Sequence, residues 1–157
     1  MKITLLTIGK TDTDYLKQGI DLYLKRLKHY IPFELKELAA LKKTTGFSVD
    51  VIKQNEFELL KKHLETSDCI VLLDERGSAF SSVGFSDFLQ KRMNAGVRNL
   101  TFVVGGAWGF APELKQMASY SVSLSKMTFS HQMVRLFFAE QIYRAFTILK
   151  GESYHNE

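Results

Sequence analysis

Three charged side chains, Arg135, Glu140 and Arg144, interrupt an otherwise oily stretch, Ser130–Leu149. Holding charge in apolar surroundings is costly, so each needs a counter-charge or an anionic ligand. Glu140 and Arg144 are four residues apart, the spacing of an ion pair along one helix face. An internal pair and a clamp on an anion both fit that spacing. Upstream, Gly105–Gly109 (GGAWG) places three glycines in five residues. Such a run serves either a tight turn or a backbone that approaches a ligand and offers it free N–H donors. It is not the dinucleotide fingerprint, and no Lys-Ser/Thr follows as in a phosphate-binding loop. Two further segments with polar groups follow apolar runs, Asp74–Phe80 (DERGSAF) and Ser125–Ser130 (SKMTFS). His131 and His155 lack metal-ligand spacing, and the single Cys69 can build neither an internal disulfide nor a cysteine zinc site. The reading is therefore no metal. No Ser or Cys lies in a nucleophile elbow, which argues against covalent catalysis.

The elements that must position these residues alternate along the chain. Apolar runs predict strands at Lys2–Ile8, Phe33–Leu41, Cys69–Leu73, Asn99–Val104 and Ser121–Leu124. Helical spacing predicts helices over Asp12–Tyr30, Asp50–Leu64, a segment starting at a cap on Ser82 or Ser86 and running to Asn94, Glu113–Ala118, and Ser130–Leu149. Alternation of this kind gives an α/β fold with a mostly parallel sheet. In such sheets ligands gather at the strand C-termini, where the three loops fall. The last helix is apolar around more than one stripe, which predicts sharing between two subunits, a homodimer. Gly151 then releases a short polar tail.

Composition narrows the class. The chain has 157 residues, 45% hydrophobic, with 21 Lys/Arg against 17 Asp/Glu, or +4. That suits one folded domain over residues 1–157 and excludes intrinsic disorder. No run reaches the ~20 apolar residues of a membrane span. The opening MKITLLTIGK reads as a strand rather than a leader, so the expectation is a cytoplasmic protein with no membrane partner. The mild basicity permits nucleic-acid binding without demanding it. Residues 101–157 carry only five Lys/Arg and four Asp/Glu, again as an interface would.

The strings FVVGGAWGF (102–110), SLSKMTFSHQMVRLFFAEQIYRAFTILKGESYH (123–155) and the opening MKITLLTIGK resemble the small SPOUT-superfamily methyltransferases of the RlmH type. The resemblance covers the chain end to end. It implies an α/β knot, with the C-terminal segment threaded through a loop of the sheet. It implies S-adenosylmethionine as cofactor, bound by Leu73, Gly105 and the run Leu124, Ser125, Lys126, Met127, Thr128 and Phe129. It also implies a substrate, N3 of a pseudouridine in 23S ribosomal RNA of the large subunit. The catalytic candidates are then Glu140 as base or orienter, Arg144 as a clamp on phosphate or carbonyl, and Tyr154 and His155 for substrate placement. His131 is a candidate for ordering the loop instead. Relatives commonly continue after Tyr-His with a basic residue, where this chain has Asn156; that leaves Arg144, Arg135 or the basic N-terminal third to grip RNA. A ribosome-associated RNA-binding protein without turnover is the alternative.

Overall fold

Five segments form the five parallel strands of one sheet in the computed structural model, which describes residues 1–155. The tail residues Asn156 and Glu157 lie outside the described residues. In chain order the elements are β1 (Lys2–Ile8), α1 (Asp14–Leu27), β2 (Phe33–Leu38), α2 (Val49–Leu64), β3 (Cys69–Ala79), α3 (Ser82–Asn94), β4 (Asn99–Val104), α4 (Pro112–Met117), β5 (Tyr120–Ser123) and α5 (Met133–Leu149). The sheet order is β2-β1-β4-β3-β5, with every pairing parallel.

Strand alternation sends side chains to two separate cores. Ile3, Leu5, Val71 and Phe102 face one way and pack with Phe85, Phe88, Phe138, Ile142 and Phe146 of α3 and α5. Leu6, Ile8, Leu72 and Val103 face the other way and meet Phe57, Leu60 and Leu114 of α2 and α4. Helix α5 lies between α1 and α3. Its approach to α1 is close at Gly19, where a Cβ would come within 2.9 Å of a Leu136 methyl. Much of the oily circumference of α5 is thus covered within the chain, so that feature alone does not require a second subunit. Phe138 in particular is fully buried in the core.

The element ends differ from sequence expectation for local reasons. Ser81, rather than Ser82 or Ser86, caps α3 by accepting from Gly84 N at 3.0 Å. Ser86 is buried and donates to the Val83 carbonyl instead. Ser48, ahead of Asp50, caps α2 through Val51 N. The segment expected to be a loop after Leu73 remains strand to Ala79. Val122 of β5 pairs first with Leu73 and then again with Ser78, so residues 74–77 bulge out between two stretches of ladder. Gly77 permits the bulge: a Cβ there would sit 2.6 Å from the Ser121–Val122 backbone. Helix α5 starts at Met133, whose N–H bonds to Ser130 Oγ at 3.1 Å across the preceding turn.

Arg135 ties this arrangement together. It is fully buried, and its Nη1 donates to Glu37 Oε1 at 2.9 Å and to Thr11 Oγ1 at 3.0 Å. Its Nη2 donates to the Ile8 carbonyl at 3.0 Å and its Nε to the His131 carbonyl at 3.0 Å. Thr11 in turn donates from both N and Oγ1 to Glu37 Oε1. Burial pulls the guanidinium pKa down, and the Glu37 charge opposes that shift. Arg135 is therefore the internal anchor of α5 and has no face for phosphate, which corrects its candidacy for gripping RNA. Removing the counter-charge with Glu37→Ala is expected to cost about 3 kcal/mol, because a buried cation is left unpaired. Urea unfolding checks this. The control is Glu34→Gln, which breaks the half-exposed Lys2–Glu34 pair and should shift stability by less than about 1 kcal/mol.

Candidate active site

Leu73, where the first stretch of β3 gives way to the bulge, Val104 at the end of β4 and Val122 near the end of β5 floor a cavity of about 630 Å³. One wall is the loop Gly105–Gly109 with Phe110 behind it, and the other is the loop after β5. Of the residues expected to hold a cofactor, Leu73, Gly105, Leu124, Ser125, Met127, Thr128 and Phe129 line this space. Lys126, between Ser125 and Met127 in the same loop, is exposed and does not line it. Ser125 shapes the second wall from both ends, with its carbonyl accepting from Ser123 Oγ at 2.8 Å and its Oγ from Met127 N at 2.9 Å. His131, Val134 and the bulged residues Asp74–Arg76 complete the rim, joined by Lys53 from α2.

The three glycines of the first wall have different reasons to be glycine. Gly109 closes a turn, donating to the Gly106 carbonyl at 3.1 Å, and has φ of +81°. A Cβ on Gly105 would meet the Phe110 ring at 3.0 Å. A branched side chain at 105 would thus strain the loop's own packing as well as any ligand. A Cβ on Gly106 would run into the carboxyl group of Glu56.

The four catalytic candidates gather elsewhere. Glu140 Oε1 accepts from Arg144 Nε at 2.9 Å, from Arg144 Nη2 at 2.7 Å and from the Tyr154 hydroxyl at 3.2 Å, while Gln141 donates to its other oxygen. Arg144 also stacks over the Tyr154 ring at 4.8 Å and brings Nη1 within 3.4 Å of His155 Nδ1. Tyr23 of α1 meets Tyr154 hydroxyl to hydroxyl at 3.4 Å, a contact across 131 residues with no signal in the sequence. Burial, the bond to Tyr23 and the Glu140 charge push the Tyr154 pKa well above the ordinary tyrosine value. The hydroxyl therefore stays protonated near neutral pH and acts as a donor.

None of these four residues lines the cavity. Glu140 and Arg144 lie six and ten residues beyond Val134, about 9 and 15 Å along the axis of α5. The cavity and the charged cluster are thus separate in one chain. Two cavity residues, Met127 and Phe129, form an exposed apolar patch with Phe137 of α5, the two phenyl rings 4.8 Å apart. Among the described residues no cluster of His, Cys, Asp and Glu could hold a metal ion, and no helix is long and apolar enough to cross a membrane.

Residues 1–155 match the family model described as "Predicted SPOUT methyltransferase". This chain belongs to the SPOUT methyltransferase family. It is 53% identical over 156 residues to a protein of Christiangramia forsetii named "Ribosomal RNA large subunit methyltransferase H", covering 99% of both chains. A protein of the same name from Flavobacterium johnsoniae is 52% identical over the full length of both. The structure of a probable methylase family protein from Haemophilus influenzae shares the fold with a TM-score of 0.51 at 11% identity, covering 95% of this chain and 66% of the other. The SPOUT fold accounts for the sheet order, and the return of the chain from the edge strand β5 to α5 between α1 and α3 is consistent with the family's knotted path.

The carboxylate of Glu140 holds Arg144 and the tail together, which gives a direct check. Glu140→Ala should release Arg144 and leave Tyr154 held only by Tyr23 and its ring contacts, and trypsin should then cleave after the exposed Lys150 several-fold faster than in the unaltered chain. Unchanged cleavage would mean that the tail is held by other contacts.

Proposed function

We propose that this chain is an S-adenosylmethionine-dependent methyltransferase acting on N3 of a pseudouridine in 23S ribosomal RNA, one domain over residues 1–157, working as a cytoplasmic homodimer on the large subunit or the whole ribosome. The observation that carries the reading is the cavity at the sheet ends: its walls are the loop Gly105–Gly109 and the loop after β5, in a chain about half identical over its full length to proteins named as ribosomal RNA methyltransferases.

The cavity's chemistry fits the cofactor. A volume of about 630 Å³ falls within the usual range for cofactor clefts. Leu73, Leu124, Met127 and Phe129 offer apolar surface for a purine, and the backbone of the two loops offers donors and acceptors for its edge and for ribose hydroxyls. Asp74 and Glu75 at the rim can meet the ligand's cationic sulfonium and ammonium, and Lys53, Arg76 and Lys115 beside them its carboxylate. When bound, the cofactor supplies an electrophilic methyl group.

What the protein must add is a pseudouridine ring held in place with its N3 deprotonated. Both oxygens of Glu140 are engaged by neighbours, which favours a role as orienter over that of base. Arg144, held by that carboxylate, can meet a carbonyl oxygen or phosphate of the substrate and stabilise negative charge on the imide. Tyr154 can donate a hydrogen bond, and His155 beside it can help place the substrate ring. These groups need a cavity within reach, and their own lies too far along α5. A second copy joined through the Met127–Phe129–Phe137 patch would bring each chain's Glu140–Arg144–tail cluster to the other's cavity. The patch, rather than the whole oily circumference of α5, is the basis for the dimer.

Two measurements test this reading. Purified protein, cofactor and ribosomes lacking the modification should yield one methyl group on N3 of a pseudouridine by mass mapping. Stoichiometric binding to the ribosome without transfer would point to the non-catalytic RNA-binding alternative. In sedimentation at micromolar concentration the protein should be dimeric, and Phe137→Asp should weaken the dimer at least about tenfold, as loss of an apolar anchor does. Phe138→Asp should instead unfold the chain, because that ring is in the core.

A further inference from the structure

We propose that Glu56, a residue of α2 outside the cavity and outside the catalytic cluster, is a positioning residue that holds the Gly105–Gly109 loop in its cofactor-binding shape. The inference rests on the reading of the cavity as a cofactor site.

Two observations converge on it. The first is the glycine at 106. Its backbone does not have positive φ, so conformation does not demand glycine there. The three atoms a Cβ at 106 would strike are the two carboxyl oxygens and the Cδ of Glu56, the closest at 2.2 Å. The glycine exists to let that carboxyl group lie against the loop. The second is the state of the carboxyl group. It lies against the Gly106 backbone, whose N–H favours its charged form, and its Oε2 is buried with no hydrogen-bond partner. An orphaned buried oxygen is a cost that a purely structural surface glutamate would avoid by turning to water. Burial correspondingly raises its pKa against the opposing effect of the Gly106 bond.

The placement explains what the contact does. Gly106 is the first residue of the turn that Gly109 closes, so fixing its N–H fixes the turn and the direction of Trp108 at its tip. Helix α2 is a rigid support, since Phe57 and Leu60, one and four residues on, are locked in the core with Phe110 and Leu114. Lys53, one turn earlier on the same helix, reaches the cavity rim. Through Glu56, α2 braces the cavity wall from behind.

The test is titration of S-adenosylmethionine by calorimetry into the unaltered protein and four variants, with melting temperature measured in parallel. Glu56→Ala should weaken binding by about tenfold, the loss expected for one hydrogen bond to a charged acceptor at a preorganised loop. Glu56→Gln keeps an oxygen that can accept from Gly106 N–H and should remain within about threefold of the unaltered protein on the same scale. Gly106→Ala should also weaken binding, because the new methyl collides with the carboxyl group. In the double variant the collision is gone, so the two losses should be less than additive. Unaltered binding in Glu56→Ala or Gly106→Ala overturns the inference, as does a fall in melting temperature with affinity retained. Unaltered protein that fails to bind the cofactor overturns the cofactor reading itself, and this inference with it.

Discussion

The guanidinium of Arg135, sealed from water and shared among Glu37, Thr11 and two main-chain carbonyls, is the constraint on which the site depends. A buried cation tolerates few arrangements, because each donor must find an acceptor. Its acceptors lie at the end of β1, in the loop after it, on β2 and in the turn before α5. One side chain therefore fixes where α5 begins relative to the sheet edge. The neighbouring Gln132 adds a second tie, accepting from Asp12 N at 3.2 Å. With the start of α5 fixed, the loop from Leu124 to His131 has both ends held and must arch over the strand ends as a cavity wall. The far half of the same helix then carries Glu140 and Arg144 away from that wall.

That divergence is the structural fact that most limits mechanism. An enzyme that moves a small group needs donor and acceptor within near-attack distance. Here the pocket and the charged cluster are separated by turns of a rigid helix, so bending cannot unite them. The tail does not bridge the gap within the chain, since Tyr154 and His155 fold back onto Arg144 and Tyr23. The dimer proposed above would resolve the problem, because a two-fold axis through the exposed Phe129–Phe137 patch would set the cavity of one chain against the charged cluster of the other.

Periodicity made the five strands and five helices legible, since each buries a regular face. Local chemistry was less so. The bulge at 74–77 depends on the close approach of β5 at Gly77, a contact made across more than forty residues. Ser81 caps α3 while Ser82 and Ser86, equally good by type, do not; the choice follows from where the strand ends. The motif residues around the cavity were visible because they sit in dense short segments. Lys53, Glu56 and Tyr23 were not, as each reaches its partner from an element with no distinguishing pattern. Arg135 and Arg144 looked alike in sequence and proved opposite in kind. Nothing in their spacing says that one faces the sheet edge and the other the helix flank.

The central claim is that a working site joins the cavity of one chain to the Glu140–Arg144–tail cluster of another, and methyl transfer by mixed dimers tests it most directly. One variant, Leu124→Arg, puts a cation beside the place of a cationic cofactor; the other ends after Gly151 and lacks the tail. Each alone should be inactive. Verified heterodimers should regain activity in one of their two sites, because one site pairs an intact cavity with an intact tail. Heterodimers that remain inactive, from variants that each fold and dimerise, would contradict the account.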